Sequence, residues 1–239
     1  MSWLIFDLDD TLVITSAVYE EARNTFATRM KQLQLGEQEE TLKLLNEIDW
    51  KNRKTMDVAK NRLAISMHET YCTLTKRAGR LIDIAMRDEC FKIMEKVFKH
   101  RYRLVWGANK LLSECMNRGY RMVLYTRGDQ ELQERKIRET KIEKYFEHIE
   151  IAPSKDKERL RNLLQSLNIE PEYAWMIGDE ILTDVKHGLA VGMNVVRVWG
   201  YHEKEPAILP ETKRCKNVKS LNHVLPILNQ EQLIRDEVY

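Results

Sequence analysis

Ile5-Phe6-Asp7-Leu8-Asp9-Asp10-Thr11-Leu12 closes an apolar run that starts almost at the N-terminus, and it sets two carboxylates two residues apart at the end of that run. Alternation along an extended strand end points Asp7 and Asp9 the same way. Two like charges held so close repel, and each loses hydration on burial, so a fold that keeps the pair supplies compensation such as a bound cation or a shared proton. Taken alone, the stretch equally fits a turn and helix cap built by Asp9, Asp10 and Thr11, residue types that favour such positions for ordinary hydrogen-bonding reasons.

Two later apolar runs end in the same manner. Met122-Val123-Leu124-Tyr125 leads into Thr126-Arg127-Gly128-Asp129, which puts a hydroxyl, a permissive glycine and exposed amides at a strand-to-helix junction, a suitable phosphate cradle. Ala174-Trp175-Met176-Ile177-Gly178 leads into Asp179-Glu180, with Asp184 five residues beyond Asp179. Open parallel sheets gather ligands outside the carboxyl ends of their strands, so these distant residues can meet in one site.

In this order and spacing, Asp7-x-Asp9-x-Thr11, Thr126, Lys155 and Gly178-Asp179-x-x-x-x-Asp184 resemble the motif set of the haloacid dehalogenase-like superfamily. The likeness spans most of the chain; its first and fourth motifs are specific, whereas the single Thr and Lys draw their meaning from the order. The resemblance implies a Rossmann-like α/β core, a parallel sheet with helices on both faces, and a small α-helical bundle as a cap between the first and second motifs.

At 239 residues the chain is long enough for one large domain or for a domain with an insert, and a length-over-150 prior of roughly 1.6 favours the second. An apolar fraction of 43% can fill a core, and 32% charged residues suit a soluble surface. Lys plus Arg number 39 against 37 Asp plus Glu, so there is no global field to attract nucleic acid or an anionic membrane. Cys72, Cys90, Cys115 and Cys215 form no C-x-x-C pair and read as reduced packing residues. The first strand starts at Trp3, which leaves no room for a signal peptide, and no apolar run approaches the ~20 residues of a membrane span. The expected compartment is the cytoplasm. The six histidines show no metal-ligand spacing, and neither a G-x-x-x-x-G-K-[ST] loop nor a G-x-G-x-x-G turn is present.

Periodicity divides the chain. After a strand over 2–7, spacings of three and four predict a helix capped by Ser16 and ended by Gly36, carrying Val18, Ala22, Phe26, Met30 and Leu33. A shorter helix follows with Leu42, Leu45 and Ile48, then one carrying Met56, Ala59, Leu63, Met67, Tyr71 and Leu74, and a last one from about Leu81 to Tyr102 with Phe91, Met94, Val97 and Phe98 inward. Four amphipathic helices can bury their stripes against one another. This insert falls between the first and second motifs, where the resemblance implies a helical cap, so the cap is expected at about 14–103 and the catalytic core at 1–13 and 104–239. From Gly107 helices at 107–118, 129–140, 156–167 and 182–190 alternate with strands at 121–125, 148–152, 174–178 and 194–199, the pattern of a covered parallel sheet. Residues 201–217, with Pro206 and Pro210, read as a surface loop, and a short element over Val218–Leu228 closes the chain.

The chemistry that the resemblance implies is phosphoryl transfer. Asp7 is the nucleophile that forms an aspartyl-phosphate, and Asp9 the acid that protonates the leaving group and then the base that activates water. Mg²⁺ is the implied cofactor, held by the Asp7 side chain, the Asp9 backbone carbonyl, Asp179 and Asp184; adjacent Glu180 is an alternative contributor. Thr126 would bind a phosphoryl oxygen, and Arg127, where a small polar residue is often found, either touches substrate or pairs with Asp129. Lys155 is preferred over Lys157 as the lysine that steadies Asp7. The expected activity is a phosphatase acting on a small phosphorylated metabolite. A phosphotransferase or sugar-phosphate mutase would share every motif, and a silent binding or regulatory protein could keep the scaffold. Substrate identity and oligomeric state are not legible; Lys51, Arg53, Lys60, Arg62 and Arg80 are candidates for substrate contact by charge alone.

Overall fold

The computed structural model describes residues 2–56, 59–201 and 212–236, with backbone alone over 231–236. The chain forms two compact units, Met1–Ile14 with Tyr102–Tyr239, and Thr15–Arg101. It opens on strand β1 (Trp3–Phe6), every residue of which is buried. Four helices follow: α1 (Ser16–Gln32), α2 (Gln38–Met56), α3 (Arg62–Arg77) and α4 (Ala85–Lys99). The alternating segment then runs α5 (Ala108–Asn117), β2 (Arg121–Arg127), α6 (Gln130–Thr140), β3 (His148–Ala152), α7 (Lys157–Ser166), β4 (Ala174–Gly178), α8 (Lys186–Val191) and β5 (Asn194–Val198). A sixth strand, β6 (Cys215–Val218), and helix α9 (Val224–Asp236) end the described chain. None of its helices is long and apolar enough to cross a membrane.

All six strands are parallel, in the order β3-β2-β1-β4-β5-β6. The first strand in sequence thus lies at the centre, where the order reverses. Loops leaving its carboxyl end and those of its neighbours face one crevice. Phe6 is level with Leu124 of β2 and Ile177 of β4, so Asp7 follows where β4 is about to end, while β2 runs on to Arg127. The side chains alternate: Trp3, Ile5, Val123, Tyr125, Met176 and Val195 enter one apolar cluster with Leu160, Leu163 and Leu164 of α7. Leu4, Phe6, Met122 and Leu124 point to the opposite face and are equally buried.

The chain leaves and re-enters this unit side by side. Ile14 N–H donates to the Arg103 carbonyl at 2.9 Å and Val105 N–H to the Leu12 carbonyl at 2.8 Å, while Val13 and Leu104 form an isolated antiparallel bridge. A long insert between such adjacent ends adds little loop-closure cost to the sheet.

The helical unit departs from its periodicity-based reading in three ways. Thr15, not Ser16, occupies the N-cap of α1, without a side-chain capping bond. The left-handed residue after that helix is Gln34 (φ 56°) rather than Gly36. The expected short second helix is instead 19 residues long and takes in Met56, which had been placed on the third. It was hard to read because only Thr41, Leu45 and Asp49 of α2 are buried, giving little apolar stripe. β6 was missed for a similar reason: its four residues are Cys-Lys-Asn-Val, half-buried at a sheet edge. Most of the expected 201–217 loop lies outside the described residues; its last three residues belong to this strand.

The helical unit has its own core, built around Phe26, Met30, Leu45, Met67, Cys90 and Met94. Beside it Asp49, 2% exposed, accepts hydrogen bonds from Arg23 Nη2 at 2.9 Å, Arg62 Nε at 3.2 Å and Ser66 Oγ at 3.1 Å, tying α1, α2 and α3 together. Burial works to raise the Asp49 pKa, but Arg62 and Arg23 outweigh it and hold the carboxyl below its ordinary range. A depressed folded-state pKa stabilises above the unfolded value of about 4, and that contribution is lost as pH falls. Asp49→Asn is therefore expected to cost about 2 kcal/mol near neutral pH, less than for a fully enclosed pair because the arginines reach solvent. Thermal unfolding should show the gap to wild type narrowing as pH drops below about 4.

Candidate active site

Asp7 follows the last residue of β1 and stays in register, its N–H donating to the Ile177 carbonyl at 2.9 Å. Its carboxylate is therefore delivered to the crevice by the sheet itself, beside the turn that follows β4. That turn begins at Gly178, and a Cβ built there would lie 2.2 Å from Asp184 Oδ2. Only glycine lets Asp184 fold back beneath the strand end. A turn of π-helix over Ile181–Val185 carries Asp184 inward, where Oδ2 accepts from Glu180 N–H at 3.1 Å.

Asp7, Asp179 and Asp184 each offer an oxygen to one cluster, all three within 4.8 Å of one another. A single ammonium faces them: Lys155 Nζ donates to Asp7 Oδ1 and, at 2.8 Å, to Asp184 Oδ1. Lys155 is 8% exposed, whereas Lys157, at the start of α7, lies on the surface. Asp156 separates the two directions by capping α7, accepting from Arg159 N–H at 2.9 Å. Thr11, fully buried, donates from Oγ1 to Asp179 Oδ1 at 3.0 Å, and Arg197 Nε on β5 donates to the Asp179 backbone carbonyl at 2.9 Å. Glu180 is exposed and accepts from Thr183 Oγ1 at 2.8 Å.

The electrostatics follow from burial. Burial, reinforced by the Asp184 and Asp9 charges, outweighs the Lys155 ammonium and pushes Asp7 up to about 7. Asp179 is pushed up to about 9 by burial, then by Asp7 and Asp184, against the Thr11 hydrogen bond. Burial works to lower the Lys155 pKa, but Asp184 and Asp7 hold it well above its ordinary value. Three clustered carboxylates, two of them bonded to the Lys155 ammonium, form an all-oxygen donor set of the kind that suits a hard divalent cation.

A profile of the Haloacid dehalogenase-like hydrolase family matches residues 4–198, from β1 through β5. The chain belongs to this family. Among relatives of this hydrolase, it is 27% identical over 248 residues to the glyceraldehyde 3-phosphate phosphatase of Pyrococcus furiosus, covering 99% of this chain and 96% of that protein. It is 21% identical over 203 residues to human N-acylneuraminate-9-phosphatase, 82% of this chain and 81% of the relative. In three dimensions it resembles a haloacid dehalogenase-like hydrolase of Xanthomonas campestris with a TM-score of 0.78 at 19% identity, covering 96% of this chain and 95% of the other. It also resembles a magnesium-bound hydrolase of Bacillus subtilis with a TM-score of 0.64 at 17% identity, covering 95% and 98%. The Asp cluster is of the kind with which this family binds Mg²⁺.

In this hydrolase the Asp9 side chain stands apart from the three-carboxylate group and is tied to α6. Its Oδ2 accepts from Gln133 Nε2 at 2.8 Å and its Oδ1 from Lys136 Nζ at 2.5 Å. Thr126, 1% exposed, accepts from the same Gln133 amide at 2.7 Å, and the Arg127 backbone carbonyl accepts from it at 3.2 Å. Asp129 caps α6, accepting from Leu132 N–H at 3.0 Å. Gln133, Lys136 and Arg197 were not singled out from the sequence. A signal existed for the first two: α6 covers part of the sheet unit with only Leu132 and Ile137 as apolar residues, so it had to bury polar ones.

Raised carboxylate pKa values mean that the native state binds more protons than the unfolded chain between about pH 4 and pH 9, so stability without a cation falls as pH rises through that window. A divalent ion reverses this by favouring the ionised forms. The gain in Tm from Mg²⁺ over EDTA is expected to be larger near pH ~8.5 than near pH ~5.5. A gain that is flat across this range would remove cation binding by these carboxylates.

Proposed function

We propose that the protein is a Mg²⁺-dependent phosphatase that hydrolyses a small phosphorylated metabolite through an aspartyl-phosphate on Asp7. The observation that carries this reading is the Asp7 carboxylate, set at the end of the central strand, flanked by Asp179 and Asp184 and bridged to Asp184 by Lys155. Asp7, Asp179 and Asp184, with the Asp9 backbone carbonyl, would hold the cation. When bound, Mg²⁺ offsets repulsion between the attacking carboxylate and the anionic ester and orients the phosphoryl group.

The residues divide the remaining work. An Asp7 oxygen attacks phosphorus, the bond from phosphorus to the leaving oxygen breaks, and Asp9 gives its proton to that oxygen. Water then attacks the phosphorus of the aspartyl-phosphate and yields a proton to Asp9, releasing inorganic phosphate and restoring Asp7. Lys155 steadies Asp7 and meets phosphoryl charge. Thr126 already accepts a hydrogen from Gln133, so its own hydroxyl hydrogen is available to a phosphoryl oxygen. Asp9 supports a hydrolase of esters in particular, because an alkoxide leaves poorly unless it is protonated.

The names of the relatives support a phosphorylated carbohydrate derivative as substrate, since they specify glyceraldehyde 3-phosphate and N-acylneuraminate 9-phosphate. The test is phosphate release from glyceraldehyde 3-phosphate, hexose phosphates, phosphoglycolate, nucleoside monophosphates and p-nitrophenyl phosphate, with Mg²⁺ or EDTA. Release is expected with Mg²⁺ alone, and Asp7→Asn is expected to lower kcat by at least about a thousandfold while the protein stays folded. Wild-type turnover by a folded Asp7→Asn variant, or turnover undiminished in EDTA, would overturn the assignment.

A further inference from the structure

The hydrogen bonds around Asp9 concentrate on two residues of one helix turn. Gln133 and Lys136 lie three apart on α6, and each donates to a different oxygen of the Asp9 carboxylate. Both are almost fully enclosed, Gln133 at 1% and Lys136 at 2% exposure, on a helix whose other residues are largely charged. Burying a lysine ammonium and a primary amide is costly unless their hydrogen bonds are satisfied, so such residues persist where they hold something. Lys136 also lies against the Tyr102 ring, its Nζ 5.3 Å from the centroid, and Tyr102 N–H donates to Glu139 on the same helix at 3.1 Å.

A second observation concerns the space that Gln133 occupies. A Cβ built on Gly128 would lie 2.8 Å from both Cγ and Cδ of Gln133, and no other group comes as near. Gly128 does not adopt a left-handed conformation, so backbone freedom is not the reason for glycine there. The missing side chain is the channel through which Gln133 reaches Thr126, the Arg127 carbonyl and Asp9 at once.

We infer that Gln133 and Lys136 are positioning residues that clamp Asp9 for its acid and base steps, with Gly128 providing the room the clamp needs. The inference rests on the role given to Asp9 above. The clamp is asymmetric: Oδ1 faces an ammonium and Oδ2 a neutral amide. An ammonium repels a proton on the oxygen to which it donates, so the transferable proton belongs on Oδ2, which can accept the Gln133 hydrogen bond and still present its own O–H. Lys136 fixes which oxygen works and stops the carboxyl from turning. Because the same Gln133 amide holds Thr126, the acid and the phosphoryl-binding hydroxyl keep a fixed spacing.

Leaving-group dependence separates this role from a merely structural one. An alkyl ester needs its leaving oxygen protonated, whereas p-nitrophenolate departs readily without a proton. The probes are p-nitrophenyl phosphate and the alkyl phosphate of the panel above that the wild type turns over fastest. Lys136→Met should lower kcat/KM, which reports the acid step up to departure of the leaving group and not the later base step, by about 10- to 100-fold on the alkyl ester and by less than about threefold on p-nitrophenyl phosphate. Gly128→Ala, which also disturbs the Gln133 bond to Thr126, should lower kcat/KM on both, the alkyl ester by about tenfold more. Lys136→Arg, which keeps a donor and a charge, should recover much of the loss. Gly128→Ala leaves Lys136 in place, so it tests the clamp even where Lys136→Met is too unstable to assay. Equal losses on both esters, or no loss on either, would overturn the inference. Asp9→Asn distinguishes the levels. If it discriminates between the esters and the clamp variants do not, the clamp alone is wrong. If it shows no discrimination, the acid–base role of Asp9 fails, and the clamp with it.

Discussion

The pairing of one buried ammonium with the carboxylates at the end of β1 is the constraint on which the rest of the site depends. Asp7, Asp179 and Asp184 share a space in which their oxygens lie within 4.8 Å of one another, and Lys155 is the cation that reaches two of them. Like charges at that spacing in a poorly hydrated setting are unfavourable without compensation. The surroundings are consequently specified closely. Gly178 leaves room for Asp184, Thr11 steadies Asp179 from the first loop, and Arg197 holds the Asp179 backbone from the next strand. Burial is the main cause that raises Asp7 and Asp179: for Asp7 it outweighs the Lys155 ammonium and is reinforced by Asp184 and Asp9, and for Asp179 it is reinforced by Asp7 and Asp184.

The parallel sheet makes this convergence possible. β1 lies between β2 and β4, so the loops after three strands from widely separated parts of the chain open at the same edge. Register then decides which residue reaches the crevice. Phe6 is level with Leu124 and Ile177, which sets Asp7 beside the last residues of β4 and puts Thr126 two positions further along β2. A shift of one residue in either pairing would turn these side chains to the other face of the sheet. The long helical insert adds little loop-closure cost to this arrangement, because the chain departs at Ile14 and returns at Arg103 side by side.

Asp9 shows how two carboxylates two residues apart acquire different environments. Asp7 faces the acidic cluster and its lysine, whereas Asp9 is taken up by the amide and ammonium of α6. Environments this different suit two carboxylates to different tasks, as the proposed division between nucleophile and proton transfer requires. The helical unit shows a related use of buried charge, with Asp49 joining three helices through Arg23, Arg62 and Ser66 where α2 offers few apolar residues.

By itself the sequence determined the alternating strands and helices from Gly107 to Val198, because short runs that are apolar, as at Met122–Tyr125 and Ala174–Ile177, or β-rich with interspersed polar residues, as at 148–152 and 194–198, stand between amphipathic helices. It also determined that Asp7, Thr126 and Asp179 stand at strand ends, since each directly follows such a run or opens the turn after it. It did not determine the length of α2 or the presence of β6, where apolar patterning is weak. It favoured Lys155 over Lys157, two residues apart in one loop of charged residues, without fixing where either side chain points. The tertiary structure shows where they lie: Asp156 caps α7, Lys155 reaches Asp7 and Asp184, and Lys157 lies on the surface. It likewise decided that Gln133 and Lys136 reach Asp9 across 124 and 127 residues of sequence. Local pattern fixes which face of an element is apolar, but the partner of a buried polar group is set by the path of the whole chain, and that path exists only once the sheet has formed.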